Sequence, residues 1–127
     1  MTIAFWALLA AIFLPYLFTG FAKFQGGFGP RQNHNPRDFL ETLDGARKRA
    51  HWEQQNSFEV TPAFAAAVLV AHHIGTAAQG TVDAIAVAFV VSRLLYGICY
   101  IQDWAAIRTL VWSFGMACIV ALFVVSA

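Results

Sequence analysis

Four stretches of this chain are almost free of charge. Thr2 to Ala22, Val60 to Val82 and Thr109 to Ala127 contain no Asp, Glu, Lys or Arg, and Ala84 to Gln102 contains only Arg93. Each is close to the roughly 20 residues that an α-helix needs to cross ~30 Å of hydrocarbon. Barrel strands would instead alternate apolar and polar residues over about 10 positions, and four of them cannot close a barrel. Hydrophobic residues make up 59% of the chain and charged residues 12%, against about 45–50% and about 25% in an average globular protein. A chain of 127 residues has too little interior to hide that apolar surface from water. The richness in aromatics argues against disorder. The only two cysteines, Cys99 and Cys118, lie in apolar runs and do not suggest a disulfide scaffold. A net charge of +1 leaves no electrostatic footprint for nucleic acid. The sequence therefore predicts an all-α fold, an integral membrane four-helix bundle forming one domain over residues 1–127. The helices are expected at about 2–24, 46–78, 82–102 and 107–126.

The first run lacks a positive n-region and exceeds the about 7–15 apolar residues of a signal peptide, so it reads as a transmembrane helix. Pro15 lies within it, where a kink is tolerated if neighbouring groups take up the freed carbonyl. Six of the eight basic residues (Lys23, Arg31, Arg37, Arg47, Lys48 and Arg49) fall between the first two helices, and Arg108 follows the third. The positive-inside rule thus predicts a multi-pass cell-membrane protein with loops 1–2 and 3–4 cytoplasmic and both termini outside. Gly26, Gly27, Gly29, Pro30 and Asn35-Pro36 read as turns. Asp38, with Glu41 three places on, predicts an N-cap, and helix 2 is expected to begin near Asp38 or Ala46. Ala63, Ala67, Ala71 and Gly75, and likewise Ser113, Ala117 and Ala121, recur every four positions, a spacing that lets helix backbones approach closely in lipid. Four helices enclose little interior, so self-association is expected.

Polar residues in such a chain are costly and face a bundle interior or a cavity. Arg49 and Asn56, seven positions apart, lie about 20° apart on a helix, and Glu59 sits on the adjoining strip. Arg47, Lys48 and Glu53 read as snorkelling charges of an interfacial helix start. Arg93, Tyr96 and Tyr100 fall within a stripe about 60° wide. An arginine that deep in a helix costs about 2.5–3.5 kcal/mol on the lenient insertion scale, so Arg93 needs a partner, and Glu59 or Asn56 is expected to supply it. Arg108 and Thr109 open the fourth helix. His72 and His73 point in two directions and make a poor metal site, so no metal is expected. Lys23, Arg49, Asn56, Glu59, Tyr96, Tyr100 and Arg108 would then share the cytoplasmic ends of the helices, with Arg93 just below. The cluster suits a water-soluble anion meeting an apolar molecule that arrives through the membrane.

The chain resembles the membrane-associated proteins in eicosanoid and glutathione metabolism (MAPEG). The resemblance rests on Arg49-Ala50 leading to Asn56-x-x-Glu59-x-x-Pro62, on Arg93-x-x-Tyr96-x-x-x-Tyr100 followed by Arg108, and on Gly20-x-x-Lys23 at the end of helix 1. It implies a homotrimer with glutathione bound between adjacent subunits at the cytoplasmic side. Arg49, Asn56, Glu59, Arg93 and Tyr96 would bind the tripeptide, with Lys23 and Tyr100 alongside. Arg108 matches the family's thiolate-stabilising arginine, and Thr109 stands where some members carry a serine hydroxyl. Trp52 stands where many members have an arginine, and Lys23 replaces an arginine. The implied activity is that of a glutathione transferase or peroxidase acting on a lipophilic small molecule, with membrane lipid and other copies of the chain as its further partners. The alternative is a non-catalytic oligomer of the same fold whose polar cluster is structural. A small transporter is disfavoured, because helix 1 carries no carboxylate.

Overall fold

The computed structural model describes residues 1–127 and contains helices only. Helix α1 spans Ile3–Gln25, α2 Pro36–Glu41, α3 Gly45–Ile74, α4 Gln79–Ile101 and α5 Ala105–Ser126, and a 3₁₀ turn at Gln32–His34 precedes α2. All but α2 are long and apolar enough to cross a membrane, so the chain is an integral membrane four-helix bundle. Helix α1 packs on α3 and α4, while α5 packs on α4 and α3.

Local chemistry sets the helix ends. Helix α3 stops at Ile74, short of the expected position 78, because Gly75 turns left-handed (φ 70°) and returns its N–H to the Ala71 carbonyl at 3.0 Å. Glycine adopts that conformation without a Cβ penalty. Asp38 does not cap α2 as expected. Pro36, whose ring presets a helical φ, starts the helix two residues earlier, and Asp38 lies in its first turn. Between α4 and α5 the chain makes a Schellman turn. Asp103 is left-handed (φ 62°), Trp104 N–H reaches the Cys99 carbonyl at 2.9 Å and Asp103 N–H reaches Tyr100 at 3.2 Å. Helix α5 restarts at Ala105, which brings Arg108 back beside Tyr100.

The core is built from small residues on one side and rings on the other. Ala4, Ala7 and Ala11 of α1 are buried, and between α3 and α4 the rings of Phe64 and Phe89 stack with centroids 3.9 Å apart. Of the small-residue ladders, Ala67 and Ala71 are buried, whereas Ser113 and Ala117 face outward and α5 packs through Gly115, Cys118 and Leu122. A Cβ at Gly97 would run into the buried ring of Phe18. Gly97→Ala is expected to destabilise by about 1–3 kcal/mol through overpacking, read as a lower unfolding midpoint in detergent.

Three consecutive cations tie the bundle's basic end together. Successive helical residues point about 100° apart, and each of these meets the exposed carbonyls of a different helix end. Arg47 donates to the Gln25 carbonyl of α1 at 3.1 Å, and Lys48 donates to the Glu41 carbonyl of α2 at 2.8 Å. Arg49 donates through Nε and Nη2 to the Ile101 carbonyl of α4 at 3.2 and 2.8 Å. Cations there complement the helix dipole and fill acceptors that have no intrahelical donor. Lys48 also pairs with the Glu41 carboxylate at 2.6 Å, and His51 approaches its other oxygen at 3.2 Å. The Lys48 hydrogen bond, followed by that of His51, holds the Glu41 carboxyl below its usual range. A lowered native pKa stabilises above the unfolded value and is lost as pH falls through the native one. The unfolding midpoint should therefore drop on acidification below about pH 4, and less steeply in Glu41→Gln.

Candidate functional site

One stripe of α3 decides which of its polar groups face inward. Glu53, Ser57, Val60, Phe64, Ala67 and Ala71 follow one another at spacings of three and four residues, and all are buried. Glu53, assigned from sequence to the helix surface, is 0% exposed, and it is the acid that meets Arg93. Arg93 Nη2 donates to Glu53 Oε1 at 3.3 Å, to Asn56 Oδ1 at 3.0 Å and to Ser57 Oγ at 3.0 Å. Ser57 in turn donates to Glu53 Oε1 at 2.6 Å. Glu53 Oε2 and Arg93 Nε are buried without a hydrogen-bond partner. Glu59, the other expected acid, is one step round the helix from the buried stripe and lies exposed.

The aromatic stripe of α4 carries the arrangement outward. The Arg93 guanidinium lies over the Tyr96 ring at 4.1 Å, Tyr96 meets Tyr100 edge to face at 5.5 Å, and the Arg108 guanidinium lies over Tyr100 at 4.3 Å. Flat guanidinium groups stack well on phenol rings. Beside this column a cleft of about 300 Å³ is lined by Asn56, Tyr96, Arg108, Thr109 and Trp112. Arg108 is half-buried and has no acidic partner, so its charge is directed at whatever fills the cleft. The Thr109 hydroxyl donates to the Ala105 carbonyl at 3.1 Å and must rotate to donate into the cleft.

Four of the nine residues singled out from sequence thus line one cleft: Asn56, Tyr96, Arg108 and Thr109. Arg93 and Tyr100 stand directly against it through the ring column. Arg49 is engaged with the α4 carboxyl end, one residue beyond Tyr100. Lys23 lies over the Phe28 ring at 4.4 Å, in the turn that closes α1. Glu59 lies on another exposed seam of α3, with Trp52, Gln55, Pro62, Ala66, Leu69 and His73. Sequence reasoning missed Glu53, Ser57 and Trp112. The signal for the first two was the phase of the apolar stripe, since both are in register with Val60 and Phe64. His72 is a packing residue, held by Thr2 Oγ1 at 2.9 Å and the Val68 carbonyl at 2.8 Å.

In comparison with family models, residues 3–127 match the one described as the MAPEG family. No curated protein and no solved structure matches the chain.

Proposed function

The chain belongs to the MAPEG family, membrane proteins of glutathione and eicosanoid metabolism, and on that premise we propose that it is a membrane-embedded glutathione-dependent transferase or peroxidase acting on lipophilic electrophiles. The observation that carries this reading is the unpaired Arg108 guanidinium in a cleft shared with Asn56, Tyr96 and Thr109. The donor set fits the co-substrate. A guanidinium, a phenol and a primary amide supply N–H and O–H donors to an anion, and arginine suits carboxylate and thiolate alike.

Glutathione supplies the sulfur nucleophile. A free thiol with pKa about 8.5 is only a few per cent ionised at neutral pH, and lowering that value by about two units requires roughly 2–3 kcal/mol of anion stabilisation. Arg108, held in place by the Tyr100 ring, provides a fixed positive charge where negative charge develops. Thr109, freed from Ala105, adds a hydroxyl donor. Asn56 and Tyr96 orient the peptide, and Arg93 and Tyr100 support the cleft through the ring column. Arg49 stands one residue beyond Tyr100, and Glu59 and Lys23, which lie outside this cleft, reach the peptide from a neighbouring copy.

The assembly is a homotrimer with the basic end in the cytoplasm and both termini outside. Its support is the exposed α3 seam of Trp52, Gln55, Glu59, Pro62, Ala66, Leu69 and His73, spaced alternately by three and four residues. That is the repeat of a helix seam that packs against other helices, and it carries a carboxylate and an amide that are costly to leave in lipid. Neighbouring copies cover it. Calorimetric titration of the detergent-purified trimer with glutathione tests the reading. Saturable binding is expected; absence of heat at millimolar glutathione would leave a structural oligomer of the same fold.

A further inference from the structure

Glu53 is the most deeply buried charged group in the molecule, at 0% exposure, and thiolate stabilisation by Arg108 does not use it. Through Ser57 and Nη2 it fixes where the Arg93 guanidinium lies. The Asn56 carbonyl oxygen is taken by the same Nη2 at 3.0 Å. An amide whose oxygen is held by a guanidinium has its orientation fixed, and its two N–H donors stay free to bond elsewhere. The remaining ionisable groups around Arg93 are Tyr96 and Tyr100 of its own helix and Arg108 of α5. Glu59 of α3 is exposed on another face, and α1 carries no charge before Lys23.

We propose that Glu53 is a positioning residue: it neutralises Arg93 and commits the Asn56 carbonyl to that guanidinium, so that Asn56 turns its N–H donors to the cleft and Arg108 alone supplies the cleft's net positive charge. With glutathione as the occupant of the cleft, this rests on the function proposed above. Among the residues that line the cleft, Arg108 is then the one cation beside a bound thiolate, whose ionisation it sets. Removing the Glu53 charge uncovers a second cation behind Tyr96. A unit charge ~10 Å away at an effective dielectric constant of ~20 moves a titration midpoint by about one pH unit.

The test is the pH titration of the ultraviolet thiolate absorbance of glutathione bound to wild type, to Glu53→Gln and to the double variant Glu53→Gln/Arg93→Gln. Glu53→Gln keeps an acceptor for Arg93 and Ser57, and the bound thiol should titrate about one pH unit lower than in wild type. In the double variant both charges are gone, and the midpoint should return to within a few tenths of the wild-type value. A role confined to packing would lower the unfolding temperature of both variants and leave the midpoints together. An unshifted or raised midpoint in Glu53→Gln overturns the proposal. So does a midpoint raised by a full unit in the double variant, should the single variant fail to fold. If wild type shows no thiolate band and binds no glutathione, the proposed function has failed. The hold of Glu53 on Arg93 is then judged without ligand by the cycle of Glu53→Gln and Arg93→Gln in thermal unfolding. Coupling of tenfold or more in the unfolding constant supports it, and additive effects reject it.

Discussion

Arg93→Met is expected to destabilise the bundle by about 3–5 kcal/mol, more than the loss expected from overpacking at Gly97. The guanidinium is 4% exposed and makes three hydrogen bonds from one nitrogen to Glu53, Asn56 and Ser57. Methionine fills the volume and offers no donor, so Glu53 is left as a buried carboxylate with Ser57 as its only hydrogen-bond partner. The cost comes mainly from that stranded charge, since replacing a buried pair together is often neutral. Glu53→Met/Arg93→Met should accordingly recover more than half of the loss. Unfolding midpoints of the single and double variants in the same detergent check this. Equal losses in the two would mean that the pair contributes through packing alone.

Arg108→Ala is expected to lower turnover of glutathione with an activated aryl halide at neutral pH by about 10–10²-fold, the loss of thiolate when a midpoint about two units low returns to that of the free thiol. Folding should change little. Arg108 is half-buried, pairs with no acid, and loses only its contact with the Tyr100 ring, worth about 0.5–1 kcal/mol at an exposed site. On the proposed function, the loss should fall on kcat more than on glutathione affinity, because Arg108 would act on the ionisation of the bound thiol and the rest of the peptide keeps its contacts. Arg108→Lys retains the charge and loses the flat stacking surface, so it should retain part of the activity. Turnover unaffected by Arg108→Ala would remove this residue from the reaction.

The fold was largely legible in the sequence because the membrane demands long charge-free runs and allows few ways to satisfy a backbone in lipid. The α4 column was legible for a related reason: Arg93, Tyr96 and Tyr100 repeat at helical spacing, and nothing beyond helical geometry is needed to align them. Choosing between Glu53 and Glu59 required more. Both follow Arg49 on one helix, and only the phase of the buried stripe, set by what α1 and α4 press against α3, separates the inward acid from the outward one. The capping role of Arg49 was hidden for another reason. Its acceptor, the Ile101 carbonyl, lies 52 residues away and exists as a free acceptor only because α4 ends there. The return of Arg108 to Tyr100 likewise depends on Asp103 turning left-handed, a conformation that a non-glycine residue adopts without announcing it in sequence.

If the uncompensated guanidinium at the start of α5 holds a sulfur anion, glutathione bound to the wild-type protein at neutral pH will show thiolate absorbance. A band that titrates with a midpoint about two units below that of the free thiol is expected, and its disappearance in Arg108→Ala, while calorimetry still registers binding, completes the result. Bound glutathione that ionises no more readily than it does in water would mean that Arg108 holds no thiolate.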